Sequence, residues 1–174
     1  MKEIITERPN LFEPNVYITM CVELCGRIDP HKLTTAVYEA YYVNEATMSK
    51  VVLEKYKAYY DRLPVTGCKV LITDKNLLTL IKEYEKIPFA IDKGELVRTF
   101  IILTETNTLI MIMAHHLVGD GKSLIYFIKD MMSALSKTSL TYKPLTLLTK
   151  KSSFGNKVVC TRKVIYPLLQ TQME

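Results

Sequence analysis

The 174-residue sequence predicts a mixed α/β fold (equally an α+β arrangement) in which helices cover a mixed sheet on one face. Two observations lead to this class. Strand-like alternation and helix-like periodicity follow each other along the chain, and a hairpin occurs late in it. The 48% of apolar and 24% of charged residues are typical of a globular protein. A chain of this length suits one domain, which buries about 70% of its unfolded surface.

The first predicted elements are a strand and a helix. Apolar residues alternate with others over residues 16–24, which is typical of a half-buried strand. Asp29 and Pro30 predict a helix start, with Asp29 as the N-cap and Pro30 in the first turn, and Asn44 marks the end. The apolar face of this helix repeats at helical spacing and comprises Leu33, Ala36, Val37, Ala40 and Tyr41.

Short strands and a second helix come next. Residues 51–53 and 69–72 predict strands, and the pattern at 56–60 is strand-like but ambiguous. Asn76 is a candidate N-cap for a helix that ends before Pro88. The apolar positions of this helix are Leu77, Leu80, Ile81 and Tyr84.

A hairpin and a third helix complete the regular part of the chain. Residues 96–103 and 108–114 are apolar runs separated by a polar turn at 105–107, which predicts a β-hairpin. Residues 122–135 then repeat apolar side chains at helical spacing. The second strand of the hairpin therefore leads into a tight turn and the third helix.

Periodicity lapses after residue 136, and basic residues concentrate there. Residues 136–174 carry seven Lys and Arg against one acid, whereas residues 1–135 carry sixteen against seventeen. We therefore expect a compact unit over residues 1–136 and a basic linker over residues 137–174. This basic stretch is loop-like and is not a basic face interleaved with aromatic residues, so nucleic acid is not an expected partner.

The cysteines and the N-terminus indicate the cellular compartment. Cys21, Cys25, Cys68 and Cys160 form no Cys-x-x-Cys pair, which favours free thiols in a reducing cytoplasm. Residues 1–14 lack the apolar core of a secretory signal, and no apolar run approaches the ~20 residues that span a bilayer. We therefore expect a cytoplasmic protein without a membrane span.

Residues 115–121, His-His-Leu-Val-Gly-Asp-Gly, are the stretch of sequence that indicates a chemistry. The two histidines follow the apolar run at 109–114 and precede a tight turn and a helix. Imidazole is the side chain whose pKa lies nearest neutrality, so it can take and return a proton at cellular pH. A base at the end of a buried strand suits acid–base catalysis, and two core histidines that close the hairpin are the alternative.

Adjacent positions in an extended segment favour separate roles for the two histidines. His115 and His116 point to opposite faces, so they do not share a metal ion, and His31 lies at a predicted exposed helix start. One imidazole is expected to face a channel as the base, and the other to hydrogen-bond within the protein. Asp120 is expected to be structural, either paired with an Arg or capping the helix. Gly121 lets the backbone approach a reacting group.

The motif His-His-x-x-x-Asp-Gly resembles that of the condensation domains of non-ribosomal peptide synthetases. Related stand-alone acyltransferases share it and, in this general form, so does chloramphenicol acetyltransferase. The resemblance extends to residues 88–89 and 94–98, which are similar to the family's Pro-Phe and Gly-x-Leu-Leu-Arg segments, and to residues 24–40. It covers most of residues 16–135.

The resemblance implies a chloramphenicol acetyltransferase-like half-domain with a mixed, mostly antiparallel sheet, so that residues 1–136 form an N-terminal acyltransferase-like subdomain. It implies that His116 is the general base, that His115 supports it, that Asp120 is structural and that Gly121 belongs to the backbone scaffold. The donor would be a thioester of coenzyme A or of phosphopantetheine. The acceptor would be a hydroxyl or amine of a small molecule, with no metal and no bound cofactor.

Two departures from the family pattern refine this expectation. Residues 43–49 stand where the family often has Arg-His-Glu-x-Leu-Arg-Thr, which favours a divergent stand-alone acyltransferase. The family's C-terminal half, with its Asp-Phe-Gly-Trp-Gly segment, has no counterpart here, and the sequence contains no Trp. We therefore expect the N-terminal half of a larger enzyme. Its partners would be the C-terminal subdomain or a second copy of the chain, and an acyl carrier protein for a carrier-bound donor.

Two other functions are compatible with the same sequence. The first alternative is a non-catalytic module that docks a carrier protein or a subunit, and the second is a self-associating half that rebuilds a tunnel from copies of itself. In each case we expect no significant acyl transfer by the monomeric chain. The reason is that a single half neither orients two substrates nor excludes water from the reacting atoms.

Overall fold

The computed structural model describes residues 1–5, 8–11 and 16–145. The described strands are β1 Lys2–Glu3, β2 Tyr17–Leu24, β3 Ser49–Leu53, β4 Ala58–Arg62, β5 Lys69–Thr73, β6 Val97–Leu103 and β7 Thr108–His115. The helices are α1 Pro30–Val43, α2 Leu77–Tyr84 and α3 Gly121–Leu135. Short 3₁₀ turns occupy Arg8–Leu11, Ala46–Met48 and Ile91–Lys93. Of the linker predicted at 137–174, residues 146–174 lie outside the described part.

The described strands form two sheets. The larger has the order β2-β7-β6-β5, in which β5 runs parallel to β6 and the other neighbours are antiparallel. The smaller has the order β1-β4-β3 and is antiparallel throughout. The mixed, mostly antiparallel α/β class predicted from the sequence is therefore confirmed.

Helices pack on both faces of the larger sheet. α1 and α3 cover the face that carries Val97, Ile101 and Ile112. The expectation of helices on one face holds for these two helices, whereas α2 packs against the opposite face, on Phe100 and Met113. The physical reason is that β6 and β7 are buried on both sides, so they lack the polar alternation that marks a solvent-facing side.

Local capping sets the starts of the three helices. The side chain of Asp29 accepts from the His31 N–H at the start of α1, and Asn76 accepts from the Thr79 N–H at the start of α2, each at 2.9 Å. Both caps were predicted from the sequence. They satisfy backbone N–H groups that have no partner inside the helix.

Two further expectations concern thiols and membranes. Cys21, Cys25 and Cys68 are free thiols, as predicted, and Cys160 lies outside the described residues. Within the described ranges, none of the helices combines the length and apolarity that crossing a bilayer requires.

Candidate functional site

The two histidines lie where the central strand β7 ends. β7 finishes at His115, which pairs with Tyr17 of β2, and α3 begins six residues later. The His116 N–H donates to the Val16 carbonyl at 2.9 Å, and the Val118 N–H donates to the His115 carbonyl at 2.9 Å. These bonds end the strand in a tight turn and fix the backbone on which both imidazoles are carried.

The His115 side chain is buried, with 4% of its surface exposed. Its Nδ1 accepts the Leu117 N–H at 3.2 Å, and the Phe89 ring packs edge-on against it at 5.7 Å between ring centroids. Burial, together with the neighbouring His116, lowers the pKa of His115 to about 4. His115 is therefore a neutral imidazole that accepts a backbone hydrogen bond.

His116 has a different environment, in agreement with the expected alternation of side chains. It is half-buried and lines an open cavity of about 510 Å³, whereas His115 does not. The polar side chains that share this cavity are those of Asn44, Glu45, Tyr60, Ser123, Tyr126 and Lys143. His116 is thus the imidazole that is accessible from the cavity.

Stability is expected to depend on pH through His115. In the unfolded chain His115 binds a proton near pH 6.5, but in the folded protein only near pH 4. Between these values the unfolded state holds more protons, so stability falls as the pH drops from about 6.5 to about 4, by at most about 1.4 kcal/mol per pH unit. Urea unfolding at pH 7, 6 and 5 measures this slope. His115→Asn, which keeps a hydrogen-bond acceptor but does not titrate, should flatten it, and an unchanged slope would contradict the assignment.

Asp120 caps α3. Its Oδ1 accepts from both the backbone N–H and the Oγ–H of Ser123, each at 2.9 Å. The hydrogen bond from the Ser123 N–H holds the pKa of Asp120 below its ordinary value. Asp120 forms no ion pair among the described residues, and Arg98 pairs instead with Glu95. Of the two structural roles considered for Asp120, the geometry therefore shows the cap.

Removal of the Asp120 cap should lower the free energy of unfolding modestly. Asp120→Ala is expected to destabilise the protein by about 1 kcal/mol, whereas Asp120→Asn should stay close to wild type because Asn and Asp are equally good N-caps. Chemical denaturation measures both differences. Asn76→Ala, which removes the equivalent cap of α2, is the matched control. If Asp120→Asn were as damaging as Asp120→Ala, the carboxylate charge would have a partner that a cap does not explain.

Of the two glycines in the His-His-x-x-x-Asp-Gly segment, Gly119 has the stricter steric requirement, and the sequence reasoning did not single it out. Its φ is +150°, and a Cβ there would clash with the Ser123 side chain. Gly121, the first residue of α3, would place a Cβ in open space. The available signal was the position of Gly119 directly before the Asp120 cap, where the chain turns sharply from strand to helix.

The buried Arg98 contacts Phe89, the residue whose ring packs against His115. Arg98 is 2% exposed, pairs with Glu95, and donates to the carbonyls of Ile87 at 2.8 Å and Pro88 at 2.7 Å. Its guanidinium carbon lies 4.2 Å from the centroid of Phe89, the ring that packs against His115. The segments noted for their family resemblance, residues 88–89 and 94–98, thus meet in one cluster beneath His115.

Residues 143–145, here called the strap, form a wall of the His116 cavity. Lys143 pairs with Asp130 of α3, and the Glu45 carboxylate accepts the Leu145 N–H at 2.7 Å. The Lys2 ammonium also donates to Glu45, at 2.7 Å. Partial burial acts to raise the pKa of Glu45, but the hydrogen bonds from Lys2 and Leu145 outweigh it and hold that pKa below its usual value. The Glu45 carboxylate, which also lines the cavity, is therefore ionised at neutral pH.

The described residues contain no cluster of His, Cys, Asp and Glu that could hold a metal ion.

No protein-family model matches the sequence, and no curated protein matches it either. Solved structures do resemble the fold. The SgcC5 protein from Streptomyces globisporus is 18% identical with a TM-score of 0.60, and the match covers 82% of this chain and 35% of SgcC5.

Two condensation domains also have a similar fold over the matched region. The condensation domain of the Monacolin K polyketide synthase MokA has 13% identity and a TM-score of 0.69, over 82% of this chain and 36% of that domain. The starter condensation domain of the rhizomide synthetase RzmA has 12% identity and a TM-score of 0.60, over 81% of this chain and 39% of that domain. This chain spans little more than a third of their length. It therefore has the fold of a condensation domain over the matched region, as the resemblance of its motif implied.

Proposed function

We propose that this chain forms the histidine-bearing half of a condensation-type acyltransferase, in which His116 is the general base. The donor is an acyl thioester of coenzyme A or of a phosphopantetheine arm, and the acceptor is a hydroxyl or an amine. The observation that carries the proposal is the separation of the two histidines. His116 lines an open cavity directly after β7, while His115 is buried and neutral behind it.

The reaction needs one base and one site for developing charge. The His116 imidazole removes the proton of the acceptor as the acceptor oxygen or nitrogen attacks the thioester carbonyl. The tetrahedral intermediate collapses to an ester or amide, and the C–S bond breaks. The protonated His116 returns the proton to the departing thiolate. In this proposal, backbone N–H groups at the start of α3, near Gly121, stabilise the oxyanion.

His115 and Asp120 assist without contacting the substrate. His115 uses Nδ1 to hold the Leu117 N–H, which fixes the turn that carries His116. Asp120 and Ser123 fix the first turn of α3. Fixed geometry matters because a reacting group held in place contributes far more to the rate than one that diffuses freely.

A second half is part of the proposal. The solved relatives are about three times as long as the matched region, which supports a C-terminal subdomain or a second copy of the chain as the other wall of a substrate tunnel. The open side of the His116 cavity is where such a wall would exclude water. An acyl carrier protein is the partner for a carrier-bound donor.

Release of free thiol tests the function directly. The chain is separated by size into monomer and oligomer, and each form, together with a longer protein that includes a second half, is incubated with acyl-coenzyme A or acyl-pantetheine and hydroxyl or amine acceptors. We expect acceptor-dependent thiol release only from forms with two halves. Full activity of the monomer would contradict the need for a second half, and no release by any form would favour a non-catalytic docking module.

A further inference from the structure

We infer that a small apolar recess beside His116 binds the alkyl end of a short acyl group, of about two to four carbons. This inference rests on the proposed function, because it places the acyl part of the donor thioester in the His116 cavity. The recess assigns the site a substrate class, short aliphatic acyl thioesters, which the motif alone does not specify.

The recess adjoins the His116 cavity and extends into the protein. It has a volume of about 50 Å³ and shares Asn44, Ala46, Val118 and Ser123 with the larger cavity. Its remaining lining consists of Thr47, Val97, Leu124 and Phe127, of which none is more than 6% exposed. A group that enters from the side of His116 therefore meets a closed inner end.

The polar side chains of the recess already have partners. Thr47 Oγ1 donates to the Tyr41 carbonyl at 2.7 Å, and Asn44 Nδ2 donates to the Ala40 carbonyl at 2.7 Å. Ser123 Oγ donates to Asp120 Oδ1 at 2.9 Å. A buried water needs two to four polar partners, and a hydroxyl or amine would lose hydrogen bonds on entry. The recess therefore favours an apolar guest, which excludes the polar end of an acceptor.

The volume limits the length of the guest. A water molecule occupies about 30 Å³ of liquid, and a carbon group is of similar size, so 50 Å³ accepts about two carbons. With the carbonyl carbon and its neighbour in the larger cavity near His116, the acyl group has up to about four carbons. The inner end is firm because Phe127 stacks on the buried Tyr41, with ring centroids 5.2 Å apart.

Ligand titrations of the full 174-residue chain test the recess. The probes are pantetheine and its acetyl, butyryl and octanoyl thioesters, and the methyl NMR signals of Val97, Val118 and Leu124 report binding. Butyryl-pantetheine should bind about tenfold more tightly than acetyl-pantetheine, because two additional methylene-sized groups are buried. Octanoyl-pantetheine should gain nothing over butyryl-pantetheine.

Two variants should shift this preference in opposite directions. Ala46→Val fills the recess and should remove the advantage of butyryl over acetyl, whereas Val97→Ala enlarges it and should favour longer chains. Phe127→Leu is a second enlarging variant, should Val97→Ala fold poorly. Partial unfolding would weaken all probes alike, so opposite shifts are specific to the recess. Unchanged preferences in both directions would show that the recess is a packing void. A chain-length preference without thiol release in any form would instead refute the proposed function.

Discussion

The variant His116→Ala is expected to slow acyl transfer by about 10²- to 10⁴-fold, the usual contribution of a positioned general base. The His116 side chain is half-buried against the open cavity, and the bond that ends β7 comes from the His116 backbone N–H, which the variant keeps. The free energy of unfolding should therefore change by about 1 kcal/mol or less. This variant should therefore lose most of its rate of acyl transfer while it keeps most of its stability.

Thiol release by the proposed two-half form measures the rate, and urea unfolding of the same preparation measures the stability. His31→Ala is the matched control, because His31 is an exposed histidine on α1 away from the cavity. It should leave the rate unchanged. A wild-type rate in His116→Ala would overturn the assignment of the base, and a loss of rate that merely follows a loss of fold would reduce His116 to a structural residue.

Arg98→Met is expected to be the most destabilising single substitution, with a loss of about 3–5 kcal/mol. The substitution keeps an apolar stem but removes the charge, which leaves the Ile87 and Pro88 carbonyls without their donors. It also leaves Glu95, which is 5% exposed, with Lys69 as its remaining ionic partner. Burial acts to raise the pKa of Glu95, but Lys69 and Arg98 together hold that pKa below its usual value.

Denaturant unfolding separates the two partners of Glu95. Lys69→Met removes an ammonium that is 58% exposed, and we expect a loss of about 1 kcal/mol or less, as for other surface pairs. The double variant Arg98→Met with Glu95→Gln should recover part of the loss, because no buried charge is then left unpaired. If Arg98→Met and Lys69→Met lowered the free energy of unfolding equally, burial of the Arg98 guanidinium would not determine how much Arg98 contributes to stability.

Elements set by local chemistry were predictable from the sequence. Asp29, Asn76 and Asp120 each precede a helical apolar pattern, and each caps its helix through a backbone N–H two or three residues on. The separate environments of His115 and His116 follow in the same way from the alternation of a strand. Such signals are contained in a few consecutive residues, so one sequence is enough to locate them.

Features made by distant residues were not predictable in this way. The parallel pairing of β5 with β6 and the position of α2 on the second face were not predictable, because β6 and β7 are buried on both faces and alternation then gives no direction. Neither Lys2 nor Leu145 stands near Glu45 in the sequence, and no periodic pattern marks their contact. The sequence therefore locates His116 but not the strap that lines the same cavity.

The strap also constrains the order in which the site is built. Glu45 and Leu145 are 100 residues apart, so their hydrogen bond closes a loop that contains most of both sheets and all of α2 and α3. A contact of such high sequence separation forms only after the entropy of closing that loop has been overcome by the intervening structure. During synthesis the turn that carries His116 emerges before the strap, so the histidine is in place while its cavity still lacks a wall. The His116 cavity is thus among the last parts of the described chain to be completed during folding.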